Sequence, residues 1–206
     1  MWALRRGVAV LAAVILCGYH LRSVSGLPDH EPEGVLPPYV GGVLDGALQS
    51  PYDVTATEIV ERYGITEKRR TMLRGLFEYR AWLRSVGVTG FQWIDGSFVD
   101  LGSKIPGDID VVTFFRPPVG QSYTQFLDYL REHRPDLLPG KKTVAGVHIQ
   151  VVELEQKAEN LVWWVQSLAS LFSHQRESNR HRGFISLELD HDDGPAIALL
   201  ALPVQS

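Results

Sequence analysis

Two aspartates, Asp108 and Asp110, stand two residues apart at the start of the apolar run Ile109, Val111, Val112, Phe114 and Phe115. Strand residues two apart project from the same face, so both carboxylates reach one side. Carboxylates placed among apolar neighbours are costly unless they bind a cation or open onto solvent at a cleft. Gly96 and Ser97 lie upstream, ten residues separating Ser97 from Asp108. Glycine lets a phosphate approach the backbone closely, and a serine hydroxyl with nearby N–H groups can donate to its oxygens. Carboxylates, phosphate oxygens and water together form the usual shell of Mg²⁺. The chemistry these residue types point to is a divalent-metal and phosphate site.

The segment from Phe91 to Phe115 reads as a strand, a Gly-Ser turn, a short loop and a second strand, with the spacer long enough to bring the second strand back beside the first. The surrounding chain supplies elements to hold it. Thr55 with Glu58 is a capping-box pattern, and Gly64 can stop the helix it opens. Thr66 can cap a second helix over 67–86, with Leu73, Leu76, Phe77, Leu83 and Val86 at helical spacing and Gly87 at its end. Its basic cluster Lys68, Arg69, Arg70 and Arg74 reads as a solvated face. Ser122 with Gln125 opens a helix to about His133. Val144–Leu154 and Phe184–Leu189 read as strands. Gln156–Phe172 is an amphipathic helix whose stripe of Leu161, Trp164, Val165, Leu168, Leu171 and Phe172 reads as core. His191-Asp192-Asp193 reads as an acidic turn, and Ala196–Val204 as a packed apolar tail. Helices alternating with three to four strands around one core give an α/β or α+β class, with a small mixed sheet flanked by helices.

Length and composition agree with that class. The chain of 206 residues is 45% hydrophobic and 21% charged, within the ordinary globular range. A formal charge of -4 excludes a protein that coats nucleic acid through bulk positive charge. Cys17 is the only cysteine, so no intramolecular disulfide forms. Three regions emerge: 1–26, an irregular lead-in over 27–52 holding five of the twelve prolines, and a domain over 53–206. In the lead-in, Val35–Val40 and Val43–Leu48 are short pieces that pack on the domain surface. Arg5 and Arg6 precede the apolar run 7–18, and Ser23–Gly26 offers small residues for cleavage. Three readings of 1–26 stand: a secretory signal or anchor, an upstream extension of the start, and a buried helix. The run is shorter than the roughly 20 residues of a spanning helix. Membrane association is expected only if this segment is a real anchor.

Gly96-Ser97, the spacer and Asp108-Ile109-Asp110 within an apolar strand resemble the signature of the nucleotidyltransferase superfamily, the polymerase-beta-like fold. More closely, the chain is similar to small bacterial nucleotidyltransferase-like proteins. The likeness lies in Leu36-Pro37-Pro38, Asp95-Gly96-Ser97-Phe98-Val99, Gly107-Asp108-Ile109-Asp110, and Phe172-Ser173-His174-Gln175-Arg176 with Gly183-Phe184. The resemblance implies a minimal nucleotidyltransferase-like fold over residues 53–206. It also implies metal-dependent transfer of a nucleoside monophosphate from an NTP to an acceptor that is RNA, a protein or a small molecule. Asp108 and Asp110 would hold one or two Mg²⁺, and Gly96 and Ser97 the β/γ phosphates. Such a protein is expected in the cytoplasm, where NTPs are; export or membrane anchoring through 1–26 is the alternative. Small relatives suggest a setting in toxin–antitoxin or phage-defence systems.

One departure stands out. The superfamily pattern expects a third acid on a later strand, and here Val147–Val152 carries His148 and Gln150 instead. Glu153 is acidic but of opposite parity. Neutral His148 can ligate a metal or act as a base, so His148 joins Asp108 and Asp110 as a candidate catalytic residue. The alternative is a non-catalytic nucleotide- or partner-binding module of the same fold. Lys104, between the motif halves, and Arg176, in the basic segment His174–Arg182, are the remaining candidate phosphate contacts.

Overall fold

The structure, a computed structural model, describes residues 26–41, 48–102, 105–175, 178 and 180–204. The expected class holds, a mixed α+β architecture, but the sheet has five strands rather than three or four. In chain order the strands are β1 (Tyr39–Val40), β2 (Leu48–Gln49), β3 (Tyr52–Asp53), β4 (Thr89–Asp95), β5 (Ile109–Arg116), β6 (Val147–Glu153) and β7 (Ile185–Glu188). The helices are α1 (Ala56–Tyr63), α2 (Glu67–Ser85), α3 (Tyr123–His133), α4 (Ala158–Phe172) and α5 (Gly194–Ala201). The main sheet runs β3-β7-β4-β5-β6, and β1 and β2 form a separate antiparallel ribbon. The strand missed by the sequence reading, β3, is two residues long and pairs in parallel with β7. Two residues are too few to show an alternation, so its register comes from the partner strand.

The helix starts follow the capping chemistry. Thr55 accepts from the Glu58 N–H while Glu58 accepts from the Thr55 N–H, and Ser122 and Gln125 repeat the arrangement for α3. Strands β4 and β5 are antiparallel, whereas β5 and β6 are parallel and need the crossover through α3. One sheet face carries Ile94, Val111, Phe115, Ile149, Ile185 and Leu187, buried in one core with side chains of α1, α2, α3 and α5. The other face carries Trp93, Val112, Phe114 and Val152, buried with Leu168 and Phe172 of α4 and with Phe184.

Five expectations change. The lead-in is not without regular structure, since it contains β1 and β2. Its first short piece lies on the surface only in part: Val35 and Leu36 are buried, Tyr39 and Val40 are exposed, and residues 42–47 lie outside those described. The basic cluster of α2 is only partly a solvated face. Lys68 and Arg74 are exposed, but Arg69 is 3% exposed and donates to the Phe98 and Asp100 carbonyls at 2.7 and 2.6 Å. Buried Arg70 donates to the Gly64 carbonyl at 2.8 Å and to that of Leu202. Asp193 is not part of a free acidic turn. It is buried and receives Arg80 at 2.8 Å and Arg84 at 2.7 Å. Arg80, fully buried, also donates to Gln92 and to the Glu188 carbonyl, which ties α5 to α2 and the sheet. Finally, the α4 stripe is buried at Leu168 and Phe172, with Leu161 and Val165 half-buried against the same cluster, while Trp164 and Leu171 remain exposed.

Candidate functional site

Register places the site. Asp95 pairs with Asp110 across β4 and β5, and Asp110 pairs with His148 across β5 and β6. Directly opposed residues share a face, so Asp95, Asp110 and His148 form one row across three strands. The next row along is Trp93, Val112 and Gln150, and the third is Phe91, Phe114 and Val152. This is the face that α4 covers incompletely. Between the two runs a cavity of about 880 Å³, lined by Asp95, Gly96, Ser97, Asp108, Asp110 and His148 at its polar end.

The turn after β4 is tight. Gly96 has φ +84°, and a β-carbon there would collide with Asp110 Oδ2. Glycine is therefore required twice, for the backbone angle and for the approach of the carboxylate. A single 3₁₀ turn, Gly96–Phe98, carries Ser97 onto the cavity. Arg69 fixes this turn from behind through the Phe98 and Asp100 carbonyls.

Each acid has a local partner. Asp110 Oδ1 accepts from His148 Nδ1 at 2.9 Å. Asp108 Oδ2 accepts from Lys142 Nζ at 2.9 Å, Lys142 being held on the β6 edge by its bridge to His148. Asp95 is buried and takes a 2.7 Å bond from Arg182, which also reaches Asp100 at 3.3 Å. Burial pushes the Asp95 carboxyl up to about 7, with the Arg182 charge acting in the opposite direction. Asp95 Oδ1 and Asp100 Oδ1 are buried without a hydrogen-bond partner among the described residues.

The sequence-derived candidates thus converge in part. Gly96, Ser97, Asp108, Asp110 and His148 line one cavity. Lys104 and Arg176 lie outside the described residues. The residue opposite Asp110 is His148; Gln150 lies one row further along the same face, and Glu153, paired with Phe115, projects from the other. Within the basic segment, Arg182 is committed to Asp95 and Asp100, and Arg180 pairs with Glu31 at 3.1 Å. Two residues of the site, Asp95 and Lys142, have no role in the sequence reading, and Arg182, expected there within a basic phosphate-contact segment, is instead engaged by two acids. Asp95 shares the β4 alternation with Trp93, a signal that was available. Arg182 and Lys142 reach their acids only through tertiary packing.

No group of three or more His, Cys, Asp or Glu side chains among the described residues is arranged to hold a metal ion. A closed protein cage for a transition metal is therefore missing from them. Mg²⁺ is commonly held by one or two carboxylates, with water and substrate phosphates completing the shell. Asp108 and Asp110 on one cavity wall fit that kind of site.

Fold and site together define an α+β protein with a mixed sheet and an acidic cavity beside a glycine-serine turn. The chain belongs to a family of unknown function (DUF6932), which matches residues 28–188. Neither the curated proteins nor the solved structures contain a match to it. Among the described residues, no helix is long and apolar enough to cross a membrane.

Proposed function

We propose that this protein is a Mg²⁺-dependent, cytoplasmic nucleotidyltransferase that moves a nucleoside monophosphate from an NTP to an acceptor hydroxyl or phosphate. The observation that carries this reading is the contact of the Gly96 turn with the Asp110 carboxylate, on a cavity wall shared with Asp108. A phosphate seated against Gly96 and Ser97 is thereby adjacent to the carboxylates that would hold Mg²⁺. Bound Mg²⁺ supplies charge neutralisation at the triphosphate and at the attacking oxygen. Gly96 and Ser97 orient the β/γ phosphates. The acceptor oxygen forms a bond to the α-phosphorus while the bond to the β-phosphate oxygen breaks, and pyrophosphate leaves with the electron pair. His148, fixed through Nδ1 by Asp110, takes the proton of a hydroxyl acceptor at Nε2. Positioning and electrostatics do most of the work in such a transfer.

A second reading, a non-catalytic nucleotide- or partner-binding module, is favoured by the engagement of Asp108 with Lys142 and of Asp110 with a histidine where an acid is expected. Incubation with each α-labelled NTP, Mg²⁺ and cellular RNA or protein separates the two. Label transfer that disappears in Asp108→Ala and Asp110→Ala supports the enzyme. Mg²⁺-dependent NTP binding without transfer to any acceptor supports the module.

A further inference from the structure

The cavity is polar at one end and apolar at the other. Beyond the row of Asp95, Asp110 and His148, its floor is Val112, Gln150 and Val152, and its roof is Trp164, Leu168 and Leu171 of α4. Trp164 is 40% exposed although it faces this space, and Leu171 is more exposed still. A stripe that seals a core would be covered; this one leaves an aromatic surface open onto a cavity of a size suited to a small molecule.

We infer that this apolar end is a nucleobase subsite, in which the base of the bound nucleotide stacks on Trp164 over the Val112–Val152 floor while its edge meets Gln150. The inference rests on the nucleotidyltransferase reading and extends it to the part of the substrate that never reacts. Three observations meet here. Rows two residues apart along a strand are separated by about 7 Å, so the Gln150 row lies one step beyond the His148 row, a ribose away from the α-phosphate. Gln150 is exposed on the cavity floor with both an amide donor and an acceptor, the pair that reads the edge of a base such as adenine. Indole faces bind bases by stacking with little dependence on sequence. The polar end, with Asp110, Ser97 and Arg180, would then receive the phosphates and their counter-charges.

The test compares two probes on the full chain, Mg·ATP and Mg·tripolyphosphate, by calorimetric titration. ATP is expected to bind more tightly than tripolyphosphate. Trp164→Ala should weaken ATP at least about 10-fold, within the range found for base–aromatic stacks, and leave tripolyphosphate within about 2-fold. Trp164→Phe should keep most of the ATP affinity, and Gln150→Leu should weaken ATP but not tripolyphosphate. Val162→Ala is the control for folding and surface effects, because Val162 is exposed on α4 and absent from the cavity wall; it should bind both probes as wild type. The subsite is overturned if Trp164→Ala binds ATP like wild type, if Val162→Ala loses as much, or if ATP binds no tighter than tripolyphosphate. In that last case the phosphate and metal site stands alone. Failure of both probes to bind overturns the subsite and the nucleotidyltransferase reading together.

Discussion

Asp110 and His148 face each other across parallel strands β5 and β6, joined by a 2.9 Å bond from Nδ1 to Oδ1. The carboxylate orients the imidazole and fixes which nitrogen carries the proton, leaving Nε2 for the cavity. Under the proposed chemistry, His148→Ala lowers transfer about 10²- to 10⁴-fold, the usual range for losing a general base. His148→Asp, which restores an acid at this position, recovers part of the loss. Single-turnover label transfer measures both. Equal rates in wild type and His148→Ala would remove His148 from the chemistry.

Gly96 offers a sharper separation of binding from folding. Gly96→Ala places a methyl group against Asp110 Oδ2 on a backbone at φ +84°. The left-handed angle costs about 1–2 kcal/mol of stability, so the variant should still fold. Mg·ATP binding is expected to fall more than about 10-fold, a loss of about 1.4 kcal/mol or more, because the turn can no longer approach the carboxylate. Calorimetry and a urea unfolding curve on the same sample check the two halves.

The buried Asp95–Arg182 pair makes stability depend on pH. Burial raises the Asp95 carboxyl from 3.8 in the unfolded chain to about 7 in the fold. Between those values the folded chain holds a proton that the unfolded chain has released, so stability falls as pH rises from about 4 to about 7. Asp95→Asn should flatten that part of the profile in urea unfolding series at successive pH values. An unchanged slope would place the titration elsewhere.

Arg182 itself neutralises two buried acids, Asp95 and Asp100. Arg182→Ala should destabilise the fold by about 3–5 kcal/mol, the cost of breaking a buried pair by removing one partner. The double variant with Asp95→Asn recovers part of this, since one of the stranded charges is gone. Thermal unfolding of the two single variants and the double variant closes the cycle.

Asp193 plays the same part at the other sheet face. Asp193→Ala leaves Arg80 buried without its ion-pair partner and is expected to cost about 3–5 kcal/mol. Hydrogen exchange should quicken first in α5, which begins beside Asp193. A loss confined to the solvent-exposed ends of other helices would contradict this role.

The features legible along the chain are local. Two capping boxes, the alternation of β4, β5 and β6, and the glycine-serine turn before the paired aspartates all appear in the fold, because caps, pleats and turns depend on residues within a few positions of each other. The opposite parity of Glu153 was legible for the same reason. Packing between distant elements set what lies across strands. It set His148 opposite Asp110, turned Arg69, Arg70 and Arg80 inward toward distant carbonyls and acids, and left Trp164 open on the cavity rather than sealed in a core. Helical periodicity marks a face as apolar or charged but not what packs on it. Register between β5 and β6 follows from a crossover of some thirty residues, and the partners of a buried arginine lie up to 132 positions away, so neither pattern can be read along the chain.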